Sequence, residues 1–509
     1  MKPAYVTTAI PYVNARPHVG FALELVQADA IARHQALLGA RTRLQTGTDE
    51  NAYKNLLAAE DQGLDVRELV DRNSEAYRRL AASLGVAADD FVRTTEERHR
   101  RAVQALWQRL RPGDLYRAGY RGLYCPGCED YYLEQELADG RCPEHGIEPA
   151  VVEEENYFFR LSNYQQPLRD HYARHPEALE PEVRRNEILS LIEGGLDDIS
   201  ISRAGQAWGI PLPFDPQSVV YVWFDALINY ISALGFGGGD DAAFERWWPA
   251  SLHVIGKDIT RFHCVIWPSM LMAGGVEPPR SVFAHGFISH SGEKMSKTRG
   301  NIIDPIRLAD ELGADALRYL LMREVPFDRD GDISTGVFVD RYNADLANDV
   351  GNLLSRTVVM IAKYLGGEVA SGPLGDGHAL YGELVRSLEA YRAHMDCMEF
   401  SRALGSYWSV IQRANRFIEE RRPWDVAKDP ARRGELEDMF RELLAVLRAT
   451  GVVLLPFMPA KMREMLAALG ADRVTLADLP EREVGAAGLA PLPPLFPRIQ
   501  PEDAGGIVG

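Results

Sequence analysis

Three cysteines and one histidine lie close together in the sequence, with the spacing of metal ligands. Cys125 and Cys128 are separated by two residues, thirteen residues follow, and Cys142 and His145 are again separated by two. Each pair is short enough for a turn to place two donor atoms on one side of a metal. Three thiolates and one imidazole complete the tetrahedral shell of a structural zinc ion, with no position left for water. We therefore predict one structural zinc ion per chain, and the alternative is a loop of unpaired cysteines.

Two further segments carry groups that bind phosphate. His18 stands at the start of a predicted helix after a predicted strand, where the helix dipole attracts anions. Lys294 and Lys297 stand in a loop flanked by glycine. The chain has no GxxxxGK[ST] motif, and its glycine-rich run at 235–239 lacks the strand-to-helix context of a nucleotide fingerprint. These features argue against a Walker-type ATPase and together predict another nucleotide site, although each segment alone is also typical of plain structure.

The elements that must position these residues alternate between strand and helix. Residues 4–10 have the pattern of a strand, residues 18–38 that of a helix, and further strands are predicted at 252–256 and 282–287. Parallel sheets of this kind bind ligands in loops that follow the strands. We predict an α/β fold whose sheet is interrupted by the cysteine-rich segment.

Beyond residue 325 the pattern changes to long amphipathic helices. They are predicted at roughly 337–365, 378–395, 400–421 and 432–454. The predicted segments are 1–114, the first half of the sheet domain; 115–170, the zinc-binding insertion; 171–325, the second half with the lysine loop; 326–480, the helical domain; and 481–509, a proline-rich tail.

Composition limits the class of protein. The chain has 509 residues, of which 46% are hydrophobic and 25% charged, as in globular proteins of several domains. Its net charge of −17 disfavours non-specific coating of nucleic acid but permits a locally basic surface for one RNA. We see no leader segment and no stretch approaching the ~20 apolar residues of a membrane span. With five cysteines and no disulfide framework, we expect a cytoplasmic chain without membrane contact, and a monomer as the default.

Two of these segments resemble the signature motifs of class I aminoacyl-tRNA synthetases. The residues at 17–20 (Pro-His-Val-Gly) are similar to the HIGH motif, and those at 294–298 (Lys-Met-Ser-Lys-Thr) to the KMSKS motif. Over about residues 3–470 the chain resembles the methionyl-tRNA synthetases in particular, through the stretches at 9–12, 47–50, 221–226 and 256–259. The resemblance implies a Rossmann-type catalytic domain split by the zinc-binding insertion, followed by an α-helical anticodon-binding domain.

The resemblance also assigns roles to individual positions. Asp49 matches the carboxylate that receives the ammonium group of methionine. The side-chain pocket would consist of Ile10, Tyr12, Trp223, Tyr230, His263 and Ile266. An apolar, aromatic slot of this kind suits a polarizable thioether. ATP would be bound by His18, Gly20, Gly256, Asp258, Lys294, Ser296 and Lys297, of which His18, Lys294 and Lys297 would be catalytic.

The implied reaction activates L-methionine with ATP and Mg²⁺ and transfers it to tRNA(Met). The methionine carboxylate would attack the α-phosphate, and the terminal ribose hydroxyl of the tRNA would then attack methionyl adenylate. Catalysis would depend on the positioning of the substrates and on cations that stabilise the charge developing on the phosphate oxygens. No protein nucleophile would be needed. Asn352, Arg356 and Trp424 match positions that read the CAU anticodon: the first two lie one helical turn apart, and the tryptophan offers a stacking plane. Helix capping and core packing are the alternative roles of these residues.

Three positions depart from the family pattern. Phe21 stands where the HIGH motif has its second histidine, Asn51-Ala52 where His-Gly usually follows the GTDE stretch, and Leu227 where some members have proline. Because a phenyl ring donates no hydrogen bond to phosphate, Phe21 favours a rival interpretation, a non-catalytic paralogue that binds tRNA or an amino acid. A ligase whose acceptor is not tRNA is a second alternative.

Overall fold

The chain forms two compact units. The computed structural model describes residues 3–125, 130–132, 134, 137–143, 146–290, 293–294, 303–326 and 329–500. Within those limits the first unit comprises Met1–Pro17, Arg41–Ala82 and Ala87–His285, and the second comprises His18–Ala40, Ser83–Val86 and Gly286–Gly509. No helix of the described residues is long and apolar enough to cross a membrane.

Parallel strands form the centre of the first unit. In chain order its strands are β1 (Ala4–Thr8), β2 (Thr42–Thr48), β3 (Asp90–Arg93), β4 (Leu115–Cys125), β5 (Asp130–Tyr132), β6 (Ala150–Phe159), β7 (Leu179–Glu180), β8 (Ile199–Ser200), β9 (Ser202–Ala204), β10 (Ser218–Val220), β11 (Leu252–Gly256) and β12 (Val282–His285). Six of them form one sheet in the order β3-β2-β1-β11-β12-β7, and every neighbouring pair is parallel. The strand order reverses between β1 and β11, the position at which open α/β sheets bind ligands.

Helices cover this sheet. After α1 (Val19–Leu37), which belongs to the second unit, the helices of the first are α2 (Tyr53–Gln62), α3 (Val66–Ser83), α4 (Glu97–Arg109), α5 (Gln165–Arg174), α6 (Glu182–Gly194), α7 (Val222–Ala226), α8 (Asn229–Ser232), α9 (Ala242–Trp247) and α10 (Trp267–Ala273). Apolar residues at helical spacing on α4, such as Leu106, pack in one core with Ile255 of β11 and Trp267 of α10. The central strands β1, β11 and β12 are buried at every residue.

The segment between β3 and β11 carries a second, antiparallel sheet. Its strand order is β5-β4-β6-β8, and the long strands β4 and β6 pair from Leu115 opposite Phe159 to Tyr124 opposite Ala150. Strands β9 and β10 form a separate antiparallel pair. The predicted parallel sheet with an intervening segment of different structure is therefore present.

Helices dominate the second unit. Besides α1 they are α11 (Pro305–Leu312), α12 (Ala314–Glu324), α13 (Thr335–Arg341), α14 (Asn352–Leu365), α15 (Tyr381–Asp396), α16 (Phe400–Arg421), α17 (Pro423–Val426), α18 (Arg433–Leu454) and α19 (Pro459–Ala468), with a π-helical stretch at Tyr342–Gly351. Its strands are β13 (Ile288–His290), β14 (Glu293–Lys294), β15 (Gly331–Ile333), β16 (Val369–Pro373) and β17 (Glu483–Ala486). Strand β17 pairs with β16, so this part of the proline-rich tail packs back on the unit.

A buried arginine fastens α1 within the second unit. Arg318 of α12 is 0% exposed and lies 2.6 Å from the Asp29 carboxylate of α1. It also donates to the backbone carbonyls of Leu84, Pro456 and Phe457 at 3.2, 2.7 and 2.9 Å. A fully buried guanidinium requires such a complete set of acceptors, so this residue fixes three chain segments around α1.

Candidate active site

Three neighbouring strands of the parallel sheet end beside one another. Ile10 and Tyr12 follow β1, Asp49 follows β2, and Asp258 follows β11. The backbone segments that follow β1 and β2 still pair with each other. Tyr12 and Asp49 form a parallel bridge, and the amide of Asp49 donates to the carbonyl of Pro11 at 2.9 Å. The sheet therefore brings Tyr12 and Asp49, which lie far apart in the sequence, to one edge.

Buried donors orient the Asp49 carboxylate. Asp49 is 2% exposed, and its Oδ1 atom lies 3.3 Å from the amide nitrogen of Asn51 and 3.4 Å from the hydroxyl of Thr94. Two residues earlier, a Cβ atom on Gly47 would lie 2.1 Å from the carbonyl oxygen of Val92 in β3. Only glycine allows β2 and β3 to approach this closely, and their pairing fixes the start of the Asp49 loop.

Aromatic rings form a wall in the same unit. The rings of Tyr12 and Trp223 meet edge to face with centroids 6.0 Å apart, and Trp223 stacks on Phe262 at 3.8 Å. The ammonium group of Lys54 lies 3.8 Å from the centre of the Tyr12 ring. The contacts hold Trp223 and Tyr12 in fixed orientations, as a binding pocket for an apolar side chain requires.

A second part of the predicted pocket is a pair of hydrogen-bonded rings. The hydroxyl of Tyr230 lies 2.7 Å from Nε2 of His263, whose Nδ1 lies 3.0 Å from the carbonyl oxygen of Ile259. A carbonyl only accepts, so Nδ1 carries the proton. Burial lowers the pKa of His263 to about 4, so the ring is neutral at pH 7 and Nε2 accepts from Tyr230. His263 and the buried Ile266 lie on the π-helical turn Phe262–Ile266, a local distortion that is frequent at functional sites.

His18 caps the N-terminus of α1. Its Nδ1 accepts from the amide of Gly20 at 3.1 Å, and a Cβ atom on residue 20 would lie 2.9 Å from the His18 ring. The side chain is exposed, yet the protein atoms around it lower its pKa, because they disfavour the charged ring. With Nδ1 accepting, the neutral ring keeps its proton on Nε2, which makes His18 a hydrogen-bond donor at a helix N-terminus.

Phe21 lies in the first turn of α1. Its side chain is 7% exposed and counts among the buried hydrophobic residues. The residue that replaces the second histidine of the family motif is therefore a packed aromatic ring.

The other predicted ATP residues lie on two loops. Gly256 ends β11, and a Cβ atom there would lie 2.7 Å from Oδ1 of the exposed Asp258. Glycine thus lets the aspartate fold back over the strand end. The backbone of Lys294 lies in β14 and pairs with β13, whereas Ser296 and Lys297 lie outside the described residues.

Two of the four predicted zinc ligands lie in the described part of the insertion. Cys125 ends β4 and is 0% exposed, and Cys142 is 1% exposed with its sulfur 3.6 Å from the Tyr132 hydroxyl. The carbonyl of Cys142 accepts from the amide of Gly146 at 2.8 Å, which closes a tight turn. Cys128 and His145 fall outside the described residues, so the metal site is not seen among those that remain.

The predicted anticodon residues lie on the helices of the second unit. Asn352 begins α14 and is exposed. Arg356 follows one turn later and forms a 2.6 Å ion pair with Glu419 near the end of α16. Helix α16 ends at Arg421, the next residue Arg422 has a positive φ of 46°, and the partly exposed Trp424 follows in α17.

Comparison with known proteins decides the family. The model of class I tRNA synthetases (M) matches residues 4–151 and 133–358, and that of the anticodon binding domain of methionyl tRNA ligase matches 369–492. The methionine–tRNA ligase of Brucella suis biovar 1 is 46% identical, with 97% of each chain covered, and that of Mycobacterium bovis is 43% identical, with 98% of this chain and 99% of that one covered. The chain belongs to the methionyl-tRNA synthetases. The predicted resemblance is thereby confirmed.

Solved structures of methionyl-tRNA synthetases share this fold. The Mycobacterium tuberculosis enzyme in complex with methionyl-adenylate has a TM-score of 0.93 and 41% identity, with 98% of this chain and 100% of that chain covered. Its apo form has a TM-score of 0.87 and 40% identity, with 98% and 99% covered. The predicted parallel-sheet α/β fold with a helical C-terminal region is confirmed.

Three residues that contact the predicted pocket residues or their neighbours were not identified from the sequence. Phe262 stacks on Trp223, Lys54 lies over Tyr12, and the buried Asp225 contacts Asn51. Asp225 offered a signal, since it is a carboxylate in an otherwise apolar stretch with Trp223. Phe262 and Lys54 offered no such signal. Phe262 is an apolar residue next to a histidine, Lys54 is a lysine on a helix, and both arrangements are common in proteins without a binding site.

Proposed function

We propose that this chain activates L-methionine with ATP and transfers the methionyl group to the 3′ end of tRNA(Met). The observation that carries the proposal is the buried Asp49 carboxylate, paired through the backbone with Tyr12 of the aromatic wall. A methionine molecule presents one ammonium group and one thioether side chain, and this edge of the sheet presents the buried Asp49 carboxylate and the aromatic rings of Tyr12 and Trp223. The membership in the methionyl-tRNA synthetases supports the same conclusion.

The chain's own residues would then bind and orient the reactants. Asp49 receives the ammonium group, while Ile10, Tyr12, Trp223, Tyr230, His263 and Ile266 line the side-chain pocket. Since His263 is neutral and accepts from Tyr230, this pair of rings adds no full charge to the side-chain pocket. A charged amino-acid side chain would lose its hydration without compensation and is rejected.

ATP would be held by its ribose and by its phosphates. Gly256 and Asp258 would contact the ribose, and His18, Gly20, Lys294, Ser296 and Lys297 the phosphate chain. The methionine carboxylate attacks the α-phosphorus, and the bond to the bridging oxygen breaks as pyrophosphate leaves. His18, through its Nε2 proton, and the two lysines stabilise the charge on the phosphate oxygens. Mg²⁺ bound with ATP supplies further neutralisation of that charge.

The second step would use the tRNA as acceptor. The ribose hydroxyl of its terminal nucleotide attacks the methionyl carbonyl carbon, and AMP leaves. Asn352, Arg356 and Trp424 would contact the anticodon. The exposure of Asn352 and the partial exposure of Arg356 and Trp424 support this assignment, because only accessible side chains can contact a base.

The insertion would hold one structural zinc ion through Cys125, Cys128, Cys142 and His145. The burial of Cys125 and Cys142 and the turn closed by Gly146 fit a metal-binding loop. Their thiols suit zinc in a reducing compartment, so we also propose that the enzyme is cytoplasmic. Separately, we propose that it is a monomer.

Pyrophosphate exchange tests the proposed function directly. Wild-type protein should incorporate labelled pyrophosphate into ATP when methionine is present. Asp49→Asn should abolish exchange, because the ammonium group loses its counter-charge. Folding of the variant is verified by circular dichroism. Absence of methionine-dependent exchange in the wild type would favour the non-catalytic paralogue that the Phe21 departure raises.

A further inference from the structure

The buried side chains of Asn51, Asp225 and His99 form a hydrogen-bonded chain next to Asp49. The Asn51 side chain donates through Nδ2 to Oδ2 of Asp225 at 2.7 Å, and Oδ1 of Asp225 lies 2.6 Å from Nε2 of His99. His99 and Asp225 are both 0% exposed. Nδ1 of His99 lies 2.9 Å from the hydroxyl of Ser232, which also lies 3.1 Å from the carbonyl oxygen of Asn229. Three polar groups at this depth are stable only because each has a partner.

Asn51 connects this chain to Asp49. Its backbone amide lies 3.3 Å from Oδ1 of Asp49, and its side-chain Nδ2 also lies 3.2 Å from the carbonyl oxygen of Thr94. The Thr94 hydroxyl in turn lies 3.4 Å from Oδ1 of Asp49 and accepts from the Glu50 amide at 2.8 Å. Asn51 therefore donates to Oδ1 of Asp49 through its backbone and holds the backbone of Thr94, whose hydroxyl faces the same oxygen.

Asp225 connects the same chain to the aromatic wall. It lies on α7, two residues after Trp223, and so a hydrogen bond from Asn51 joins the helix of Trp223 to the loop of Asp49. His99 on α4 fixes Asp225 from the opposite oxygen. The hydrogen-bonded chain thus sets the distance between the Asp49 carboxylate, which would bind the ammonium group, and Trp223, which would contact the methionine side chain.

We propose that Asn51, Asp225 and His99 are positioning residues that set the affinity for the amino-acid substrate. None of them is assigned to contact methionine; they act through Asp49 and Trp223. The inference rests on the proposed function, since it takes Asp49 as the ammonium acceptor. It also gives the departure at position 51 a meaning, because asparagine here still supplies a donor to Asp225.

The experiment removes the donor at position 51 and measures ATP–pyrophosphate exchange at varied methionine and varied ATP. For Asn51→Leu, KM for methionine should rise about tenfold to hundredfold, the size expected for losing a hydrogen bond to a charged group. KM for ATP should stay within about twofold of wild type, because the hydrogen bonds described above for Asn51, Asp225 and His99 lead to Asp49 and to the helix of Trp223. Asn51→His retains an N–H donor and should restore most of the methionine affinity.

A matched control separates positioning from general stability. Tyr164→Phe removes another buried hydrogen bond of the first unit, that of the Tyr164 hydroxyl to Asp114 at 2.6 Å. It should lower the melting temperature without changing KM for methionine. If Asn51→Leu raises both KM values alike, or neither, the positioning role is wrong.

A second variant keeps the proposal testable if Asn51→Leu fails to fold. Ser232→Ala removes the hydroxyl that contacts Nδ1 of His99 and also donates to the Asn229 carbonyl, and KM for methionine should rise by a few-fold while KM for ATP is unchanged. An unchanged KM for methionine would overturn the proposal. A wild-type protein without methionine-dependent exchange would instead overturn the proposed function, so the two failures are distinct.

Discussion

Phe21 is the residue at which packing and catalysis compete most directly. It is 7% exposed in the first turn of α1 and stands where the family motif has a histidine that can donate to phosphate. We expect Phe21→His to raise the adenylation rate at unchanged KM for methionine, and to lower the free energy of unfolding by about 1–3 kcal/mol, because a polar ring replaces a buried apolar one. Exchange kinetics and urea unfolding measure the two effects.

Phe21→Leu is the matched control for this experiment. It removes the aromatic ring without adding a donor, so it should lose stability and gain no rate. A stability loss without a rate gain in Phe21→His would make Phe21 a packing residue alone.

The neutral state of His263 makes the folded protein sensitive to acid. Burial lowers the pKa of His263 from 6.5 to about 4. Between these values the unfolded chain binds the proton and the folded chain does not, so stability is present above pH 6.5 and is lost as the pH falls towards 4. This residue alone contributes a slope of up to about 1.4 kcal/mol per pH unit. The free energy of unfolding is measured with urea at pH 7 and at pH 5. Between these two pH values it should fall less for His263→Asn than for the wild type. An equal loss would place the titration elsewhere.

Individual residues were predictable from the sequence where they lie in a motif. Asp49, Tyr12 and Trp223 were identified by their neighbours in the chain, and the structure brings Tyr12 into contact with both of the others. The partners of these residues were not predictable in the same way. His99 and Asp225 are 126 residues apart in the chain, and only the tertiary packing of α4 and α7 brings them together.

At the scale of helices, α14 and α17 carry the predicted anticodon residues. If Trp424 stacks on an anticodon base, Trp424→Ala should weaken tRNA binding by about 1–3 kcal/mol and leave tRNA-independent exchange intact. Binding is measured by filter retention at fixed salt, because phosphate contacts make it salt-dependent. Loss of exchange and of thermal stability together would show that Trp424 is a core residue.

Glu419 provides the control for this helical surface. Glu419→Gln removes the ion pair of Arg356 without removing the guanidinium, so it should retain tRNA binding, whereas Arg356→Ala should lose it. Equal charging of tRNAs with normal and altered anticodons would contradict base reading here, whatever the variants do.

The insertion should contain one zinc ion per chain, which elemental analysis of the purified protein measures. Cys142→Ala should lower zinc content and destabilise the insertion, since a small segment of this kind depends on its metal for folding. Cys397→Ala, at an exposed cysteine of the second unit, should leave the zinc content unchanged. A disulfide between any two of Cys125, Cys128 and Cys142 in reduced protein would contradict the assignment.

Long amphipathic elements were predictable to within a few residues. The predicted helices at roughly 400–421 and 432–454 correspond to α16 at Phe400–Arg421 and α18 at Arg433–Leu454. The predicted helix at roughly 337–365 is a composite of α13, the π-helical stretch Tyr342–Gly351 and α14. A π-helical stretch has no sequence pattern of its own within a longer helical segment, so the periodicity could not distinguish it from a regular helix.

For the whole molecule, the sequence indicated the order of segments but not their tertiary partners. Helix α1 follows β1 directly, yet its Asp29 is bound by Arg318 of α12 nearly three hundred residues later. Such a partnership depends on long-range packing, which leaves no local pattern in a single sequence.

The most direct test of the account is ATP–pyrophosphate exchange assayed with each of the common amino acids in turn. The buried Asp49 carboxylate beside a neutral, aromatic pocket predicts rapid exchange with methionine alone. Addition of tRNA(Met) should then yield methionyl-tRNA, while a tRNA with an altered anticodon should be charged poorly. Equal exchange with leucine, or no exchange with any amino acid, would contradict the account.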